Sequence, residues 1–165
     1  MTRLARMLAT ALGLAALAGV TAATPAAGAT TVKVSLTDKG ANMEVPVGLG
    51  FAMGGDMSKA TMGMTATPEA AKAGVVTFKV TNDSKDTVHE MIVMLLADPT
   101  KPLPYLDSEN RVDEDRAGDK GEVSELEPGA SGSLTVNLKP GKYLLICNVP
   151  GHFGAGMWTT FTVNP

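Results

Sequence analysis

The pattern of hydrophobic and polar positions predicts a series of short β-strands. In residues 31–36, Val32, Val34 and Leu36 alternate with polar side chains, which is the period of a half-buried strand. Further segments with strand character are residues 42–47, 75–80, 89–97, 121–126, 133–138, 143–147 and 160–163. Turn-forming residues separate several of them, among them Pro128-Gly129 and Pro140-Gly141. About seven to eight short strands joined by turns indicate an all-β sandwich.

Individual segments carry more detailed expectations. Residues 89–97 are apolar on both faces, which predicts a central strand, and Pro46 favours an edge position for residues 42–47. Residues 48–64 are rich in Gly and Met without a clear period and are predicted to be mostly loop. Residues 98–120 form a long polar, acidic insertion. Such a charged stretch is more often simply solvated, and the alternative is a docking site for a basic redox partner.

The N-terminal residues have a different pattern. Arg3 and Arg6 precede an apolar run over residues 7–20, and the small residues end in Ala27-Gly28-Ala29. This order is typical of a secretory signal peptide, predicted here over residues 1–29, with an uncleaved anchor as the alternative. Residues 30–165 then form a single domain, in which no stretch is long and apolar enough to span a membrane. The expected location is the periplasm or another extracytoplasmic space.

Composition and charge agree with a folded exported protein. The 165 residues are 44% hydrophobic and 19% charged, with 14 basic and 17 acidic side chains. Removal of Arg3 and Arg6 with the signal leaves 12 − 17 = −5. This balance argues against nucleic acid as a partner, because binding phosphates needs clustered positive charge.

Cys147 is the only cysteine in the chain. Exported proteins meet oxidising conditions, in which cysteines usually form disulfide pairs. A lone thiol in such a protein is an intermolecular bridge, an inert buried side chain or a metal ligand.

The candidate metal ligands are His89, Cys147, His152 and Met157. His89 and His152 are the only histidines, and Cys147, His152 and Met157 follow one another at five-residue intervals. Two imidazoles, a thiolate and a weak axial thioether are the ligand set of a type 1 copper site, whereas structural zinc sites seldom use methionine. Each residue alone is more often structural: a buried thiol, a satisfied histidine or a methionine that fills the core. Their joint arrangement favours one copper ion that cycles between Cu(II) and Cu(I).

Two segments of the sequence resemble the cupredoxin family. They are Pro140-Gly141-Lys142-Tyr143 through Cys147, Pro150-Gly151-His152 and Gly156-Met157, and the run from Gly74 to Asn82 followed by His89. The loop spacing is similar to that of the auracyanin and rusticyanin type. The resemblance implies a Greek-key sandwich with copper at one end, held by His89, Cys147, His152 and Met157. Many relatives have Asn after the first histidine, where this chain has Glu90.

Two functions remain open. The first is one-electron transfer between extracytoplasmic redox partners such as a cytochrome or an oxidase, with an apolar docking surface at Phe153 and Gly154. The second is copper tolerance or delivery, in which Met53, Met57, Met62 and Met64 form an additional Cu(I) site. Catalysis is not expected, because both histidines are candidate ligands and a multicopper oxidase would need further histidines. The sequence does not indicate an oligomeric state.

Overall fold

Two β-sheets face each other in the computed structural model, which describes residues 29–40 and 42–165. In chain order, the strands are β1 (Thr30–Asp38), β2 (Met62–Thr67), β3 (Ala70–Lys72), β4 (Gly74–Asn82), β5 (His89–Leu95), β6 (Tyr105–Leu106), β7 (Arg111–Val112), β8 (Asp119–Leu126), β9 (Ser131–Leu138), β10 (Gly141–Ile146) and β11 (Trp158–Asn164). One sheet has the order β2-β1-β4-β9 and the other β3-β11-β10-β5-β8. A 3-10 turn, Met57–Lys59, and a short helix α1, Glu114–Ala117, complete the described elements. The predicted Greek-key β-sandwich is confirmed.

Most of the predicted strands are present, but residues 42–47 are irregular, so that prediction was wrong. The position beside β1 at the edge of its sheet is occupied by β2, from Lys33 opposite Thr67 to Asp38 opposite Met62. Val45 and Val47 are consequently 50% and 78% exposed. The short strands β2 and β3 were not predicted.

The first hydrophobic core lies between the two sheets, and we call it the inter-sheet core. The alternating side chains of β1 that were predicted to face inward, Val32, Val34 and Leu36, are buried in it. Phe78 from β4 meets Phe161 from β11 edge to face, with ring centroids 5.3 Å apart. Aromatic pairs in this arrangement attract each other beyond their burial, so the two sheets are held together at their centre.

A second hydrophobic core lies on the outer face of the β5 sheet, and we call it the outer core. Ile92 and Met94 of β5 pack there with residues of β10. Leu103 and Val112, from residues 98–120, are buried in the same core. Most of the charged side chains of this segment are exposed to solvent, but its apolar side chains cover a sheet face, which the sequence did not indicate. The strand β5, apolar on both faces, is interior to its sheet as predicted.

Both sheets direct candidate ligands to one end of the sandwich. Strand β1 ends at Asp38, which contacts His89 at the start of β5, and β10 leads directly into Cys147. Strand β11 begins immediately after Met157. Thr30 and Asn164 therefore lie at the opposite end.

The predicted signal peptide lies almost entirely outside the described residues. Its first 28 residues belong to the part of the chain that the structure does not describe, and only Ala29 is included. Among residues 29–40 and 42–165, no helix has the length and apolar character needed to cross a membrane.

Candidate metal centre

His89 is held at the first position of β5 by a hydrogen-bonded turn. The buried amide of Asn82 donates to the carbonyl oxygens of Thr87 and Leu126, both at 2.8 Å. The Ser84 hydroxyl donates to the same Thr87 carbonyl at 2.7 Å. The polar residues at the end of β4 and just after it thus fix the direction in which the chain enters β5, and His89 is fully buried there.

The loop over residues 147–157 is closed at its base by its own backbone. The Cys147 N–H donates to the Met157 carbonyl at 3.0 Å, and the Met157 N–H donates to the His152 carbonyl at 3.0 Å. Gly151 and Gly156 have φ angles of 89° and 95°, in the left-handed region that favours glycine. The glycines allow the tight turns, and the backbone bonds bring the ends of the loop together.

Three candidate donor atoms converge at the centre of this end. His89 Nδ1 lies 3.2 Å from His152 Nδ1, and Cys147 Sγ lies 3.3 Å from His152 Nδ1 and 3.9 Å from His89 Nδ1. Bonds of about 2.0 Å to nitrogen and 2.3 Å to sulfur in a trigonal plane would separate the donors by about 3.5–3.8 Å. The spacing therefore fits a metal ion bound by all three.

Met157 lies beside these residues. It is fully buried in the inter-sheet core together with Cys147, and the two residues are paired through the backbone hydrogen bond at the base of the loop. The four candidate ligands are thus at one end of the sandwich. Of the four, only His152 retains exposed surface, 8%.

Burial keeps the donor groups uncharged in the metal-free protein. Burial raises the pKa of the Cys147 thiol to about 12, although N–H groups of Glu90 and Val149 lower it. Burial and then the neighbouring His89 lower the pKa of His152 to about 4, and burial lowers that of His89 despite its contact with Asp38. Both imidazoles are therefore neutral at pH 7. A cation would displace one thiol proton and compensate the thiolate charge, so the donor set fits a type 1 copper ion.

Glu90 connects the two segments that carry the ligands. Its backbone N–H donates to Cys147 Sγ at 3.4 Å, and its side-chain Oε1 accepts from the Asn148 N–H at 2.9 Å. Burial raises the pKa of Glu90 to about 7, and the nearby carboxylates of Glu122, Glu114 and Glu125 add to the rise. A carboxyl group thus links the start of β5 to the residue after Cys147.

Asn148 attaches the ligand loop to the insertion. Its side-chain oxygen accepts from the Val112 N–H at 2.7 Å, and its Nδ2 donates to the Val112 carbonyl at 3.0 Å and to Glu114 Oε1 at 2.7 Å. The Gly151 N–H also donates to the Asn110 carbonyl at 2.7 Å. Sequence reasoning missed this role, because nothing in the sequence pairs residue 148 with residues 110–114.

Asp38 is the other residue near the site that the sequence did not indicate. Its carboxylate oxygen Oδ2 accepts from His89 Nε2 at 3.0 Å, and its Oδ1 accepts from the Gly40 N–H at 2.7 Å. Burial raises the pKa of Asp38, but hydrogen bonds from Thr87, Gly40 and His89 together hold it below its ordinary value. The only available sequence signal was a polar residue two positions after a predicted strand.

Two further expectations for this end of the molecule change. Phe153 and Gly154 are buried, so the prediction that they form an apolar docking surface was wrong. Met62 and Met64 face the inter-sheet core from β2, Met53 packs against the outer core, and Met57 is 41% exposed. Met62 and Met64 therefore belong to a strand, not to a loop. The four side chains lie in different environments, which does not favour a shared Cu(I) site.

Comparison with known proteins identifies relatives of the chain. A model of the sulfocyanin (SoxE) domain matches residues 70–165, more than half of the chain. Auracyanin-B from Chloroflexus aurantiacus is 54% identical over 41 residues, which are 24% of this chain and 17% of that protein. The matched segment thus spans less than a fifth of the auracyanin's own length.

Solved structures share the fold. The dithionite-reduced auracyanin from Roseiflexus castenholzii superposes with a TM-score of 0.50 at 19% identity, over 84% of this chain and all of the auracyanin. Rusticyanin from Thiobacillus ferrooxidans gives a TM-score of 0.51 at 16% identity, over 83% of this chain and 79% of the rusticyanin. At these identities the likeness establishes the fold, and the domain match establishes the family. The chain belongs to the sulfocyanin (SoxE) domain family and is a cupredoxin, a type 1 copper protein.

Proposed function

We propose that this chain is an exported one-electron carrier whose copper ion is bound by His89, Cys147, His152 and Met157. A copper ion bound there supplies a Cu(II)/Cu(I) couple. The imidazoles of His89 and His152 and the Cys147 thiolate would hold the ion with strong bonds, and the Met157 thioether would add a weak one. The chain's own contribution is a donor set that changes little between the two oxidation states.

The observation that carries this proposal is the convergence of His89, Cys147 and His152. Their donor atoms lie within 4.8 Å of one another and all three side chains are buried. They come from two separate chain segments, β5 and the ligand loop, each fixed by its own hydrogen bonds. Such a preformed site limits rearrangement when an electron is gained or lost, which favours rapid transfer.

The surface near His152 suits brief contact with a redox partner. His152 is the candidate ligand with exposed surface, and Val45 and Met57 are exposed apolar residues of the neighbouring segment. A Cβ atom at Gly151 would lie 3.9 Å from Val45, and one at Gly156 would lie 3.1 Å from Met57. Electrons would therefore enter and leave through the edge of His152, within an apolar rim formed by Val45 and Met57. We propose a cytochrome or an oxidase as the partner class.

Export is proposed from the N-terminal sequence. A basic start, a short apolar run and Ala27-Gly28-Ala29 support a cleaved secretory signal, which places the mature chain outside the cytoplasm. Edman sequencing of the protein purified from its native host is expected to begin at Thr30. An intact residue 1 on the purified protein would contradict cleavage.

The copper site is tested by titrating the mature protein with Cu(II) and recording its visible and electron paramagnetic resonance spectra. We expect saturation at one equivalent, strong thiolate-to-copper absorption and narrow copper hyperfine splitting. Replacement Cys147→Ser is expected to abolish the absorption, because it removes the thiolate. Absence of the absorption from the unaltered protein at one equivalent would refute the proposal.

The axial assignment has its own test with a matched control. Met157→Leu is expected to keep the thiolate absorption but shift the midpoint potential, because only the weak axial thioether is lost. Met94→Leu makes the same change at a fully buried methionine of the outer core and is expected to leave the potential unchanged. Equal potentials in both variants and the unaltered protein would remove Met157 from the ligand set.

A further inference from the structure

The buried carboxylate of Asp38 contacts a candidate ligand but is not itself one of the four. We propose that Asp38 is a positioning residue that holds His89 in the metal-binding tautomer and favours Cu(II) over Cu(I) by its negative charge. This inference rests on the proposed copper site, because it takes His89 as a ligand.

The geometry assigns the tautomer. A carboxylate oxygen accepts hydrogen bonds, so the 3.0 Å contact between Asp38 Oδ2 and His89 Nε2 places the ring proton on Nε2. The lone pair of His89 is then on Nδ1, the atom that faces His152 Nδ1 and Cys147 Sγ. Without the carboxylate, the proton would be free to occupy Nδ1 and would block the position a metal needs.

Asp38 is itself held in a fixed position. Its side chain is 1% exposed, and the Gly40 N–H donates to its other oxygen at 2.7 Å. It is the last residue of β1, directly opposite Met62 of β2. Asp38 belongs to the sheet containing β1, whereas His89 belongs to the opposite sheet. The relative position of the two sheets therefore sets the orientation of the His89 imidazole.

The charge argument gives the direction of the redox effect. With a thiolate and two neutral imidazoles, the site carries +1 with Cu(II) and 0 with Cu(I). The Asp38 carboxylate changes these totals to 0 and −1. Because the group is buried, water screens its charge poorly. It therefore stabilises the oxidised site more than the reduced one, an effect that an uncharged hydrogen-bond acceptor would not have.

Two substitutions separate the hydrogen bond from the charge. Asp38→Asn removes the charge and keeps one oxygen that can accept from Nε2, while its amide nitrogen replaces the oxygen that accepts from the Gly40 N–H. Asp38→Ala removes both. Asp83→Asn is the matched control, because it removes a carboxylate from an exposed residue one position after β4, near the same end of the sandwich.

The first measurement uses the metal-free protein. Nitrogen-15 NMR of the His89 ring is expected to show the Nε2–H tautomer in the unaltered protein and in Asp38→Asn. We expect a mixture of tautomers in Asp38→Ala. The Nε2–H tautomer at unchanged population in Asp38→Ala would overturn the positioning role, and this result does not depend on copper.

The second measurement is the midpoint potential with copper bound. Asp38→Asn is expected to raise it, because the Kd for Cu(II) increases more than the Kd for Cu(I). Loss of such an outer partner typically weakens metal binding by about tenfold or more. Asp83→Asn is expected to leave it unchanged. An unchanged or lower potential in Asp38→Asn, with its copper spectrum intact, would overturn the charge effect.

Failure of this inference and failure of the copper site are distinguishable. A missing thiolate absorption in the unaltered protein refutes the site and with it the redox effect, while the tautomer measurement still decides the positioning role. If the unaltered protein has a normal copper spectrum, but neither Asp38 variant changes the His89 tautomer or the midpoint potential, this inference alone is refuted. If Asp38→Ala does not fold, the tautomer is measured in Asp38→Leu, which also removes the acceptor, and Asp38→Asn decides the charge effect through the potential.

Discussion

The two hydrophobic cores of this protein lie on opposite faces of the same sheet and are built in different ways. The inter-sheet core consists mostly of alternating strand residues from both sheets. The outer core has residues of the large sheet on one side only, and its cover comes from the insertion and the ligand loop, with Leu103, Val112 of the two-residue strand β7, and Phe153. Strand periodicity thus creates the first core, whereas the second depends on particular side chains meeting one sheet face.

The candidate metal centre lies where the two cores meet. Cys147 and Met157 belong to the inter-sheet core, while Phe153, in the middle of the ligand loop, belongs to the outer core. The loop is therefore packed from both sides. We infer that the inter-sheet core mainly sets the stability of the fold, and that the outer core, attached through Asn148 and Asn110, mainly sets the shape of the ligand loop.

The largest effect is expected from Phe161→Ala in the inter-sheet core. It removes a fully buried ring and its contact with Phe78, which should lower the free energy of unfolding by about 3–5 kcal/mol. Urea denaturation of the metal-free protein measures this loss. The milder Phe161→Leu should cost clearly less, and equal losses in both variants would argue against cavity formation as the cause.

A smaller effect is expected from Asn148→Ala, which removes the side-chain hydrogen bonds between the ligand loop and the insertion over residues 98–120. The change leaves the buried N–H and carbonyl of Val112 without their partner, at a cost of about 1–3 kcal/mol in the free energy of unfolding. It should also broaden the copper hyperfine lines, because the loop next to Cys147 loses its attachment. Asn137→Ala, at an exposed position of β9, is the control. Unchanged copper lines in Asn148→Ala would contradict the proposed division between the cores.

A still smaller effect is expected from Tyr105→Phe. The Tyr105 hydroxyl donates to Asn110 Oδ1 at 2.7 Å, and the ring packs near Phe153 with centroids 6.1 Å apart. Phenylalanine keeps the ring and loses the hydrogen bond, which should lower the free energy of unfolding by about 0.5–1 kcal/mol. Thermal unfolding of the metal-free protein measures the change. A loss as large as that in Asn148→Ala would show that the hydroxyl, rather than Asn148, is the main attachment of the cover.

The smallest effect is expected from Glu90→Gln, and it depends on pH. The pKa of Glu90 is raised to about 7 in the folded protein, from an ordinary value of 4.5. The folded state therefore binds more protons than the unfolded state between these values, so this group makes the protein less stable as pH rises through that range. Glutamine removes this dependence.

Relative to the unaltered protein, metal-free Glu90→Gln should therefore be more stable at pH 8 than at pH 5. The expected difference is below about 1 kcal/mol, because Glu90 is only partly buried and water screens its charge. Denaturation curves of both proteins at the two pH values provide the measurement. A gain for Glu90→Gln at pH 5 instead would reverse the assigned sign.

The two cores also differ in how far the sequence predicted them. The inter-sheet core could largely be predicted from the sequence. Val32, Val34 and Leu36 alternate with polar residues, which is the pattern of a half-buried strand. The cover of the outer core was not visible. Leu103 and Val112 stand alone among charged and turn-forming residues, so their burial comes from tertiary contacts and not from any local period.

The same limit applies to the candidate site. His89, Cys147 and His152 were selected from residue type and loop spacing, and the structure brings their donor atoms together. Asp38 could not be selected, since it lies 51 residues before His89 and meets it only through the packing of the two sheets. The strand prediction for residues 42–47 was wrong for a related reason, because β2 occupies the same edge of β1.

The chain directions at the metal end have a practical consequence for immobilising the protein. Strand β1 runs from Thr30 towards Asp38, and β11 runs from Trp158 towards Asn164, each over roughly 20–25 Å. The described chain thus both enters and leaves the sandwich at the end away from the candidate copper ligands. A linker to an electrode, joined at either of these points, would hold the protein with the proposed copper site turned outward and open to a second protein in solution.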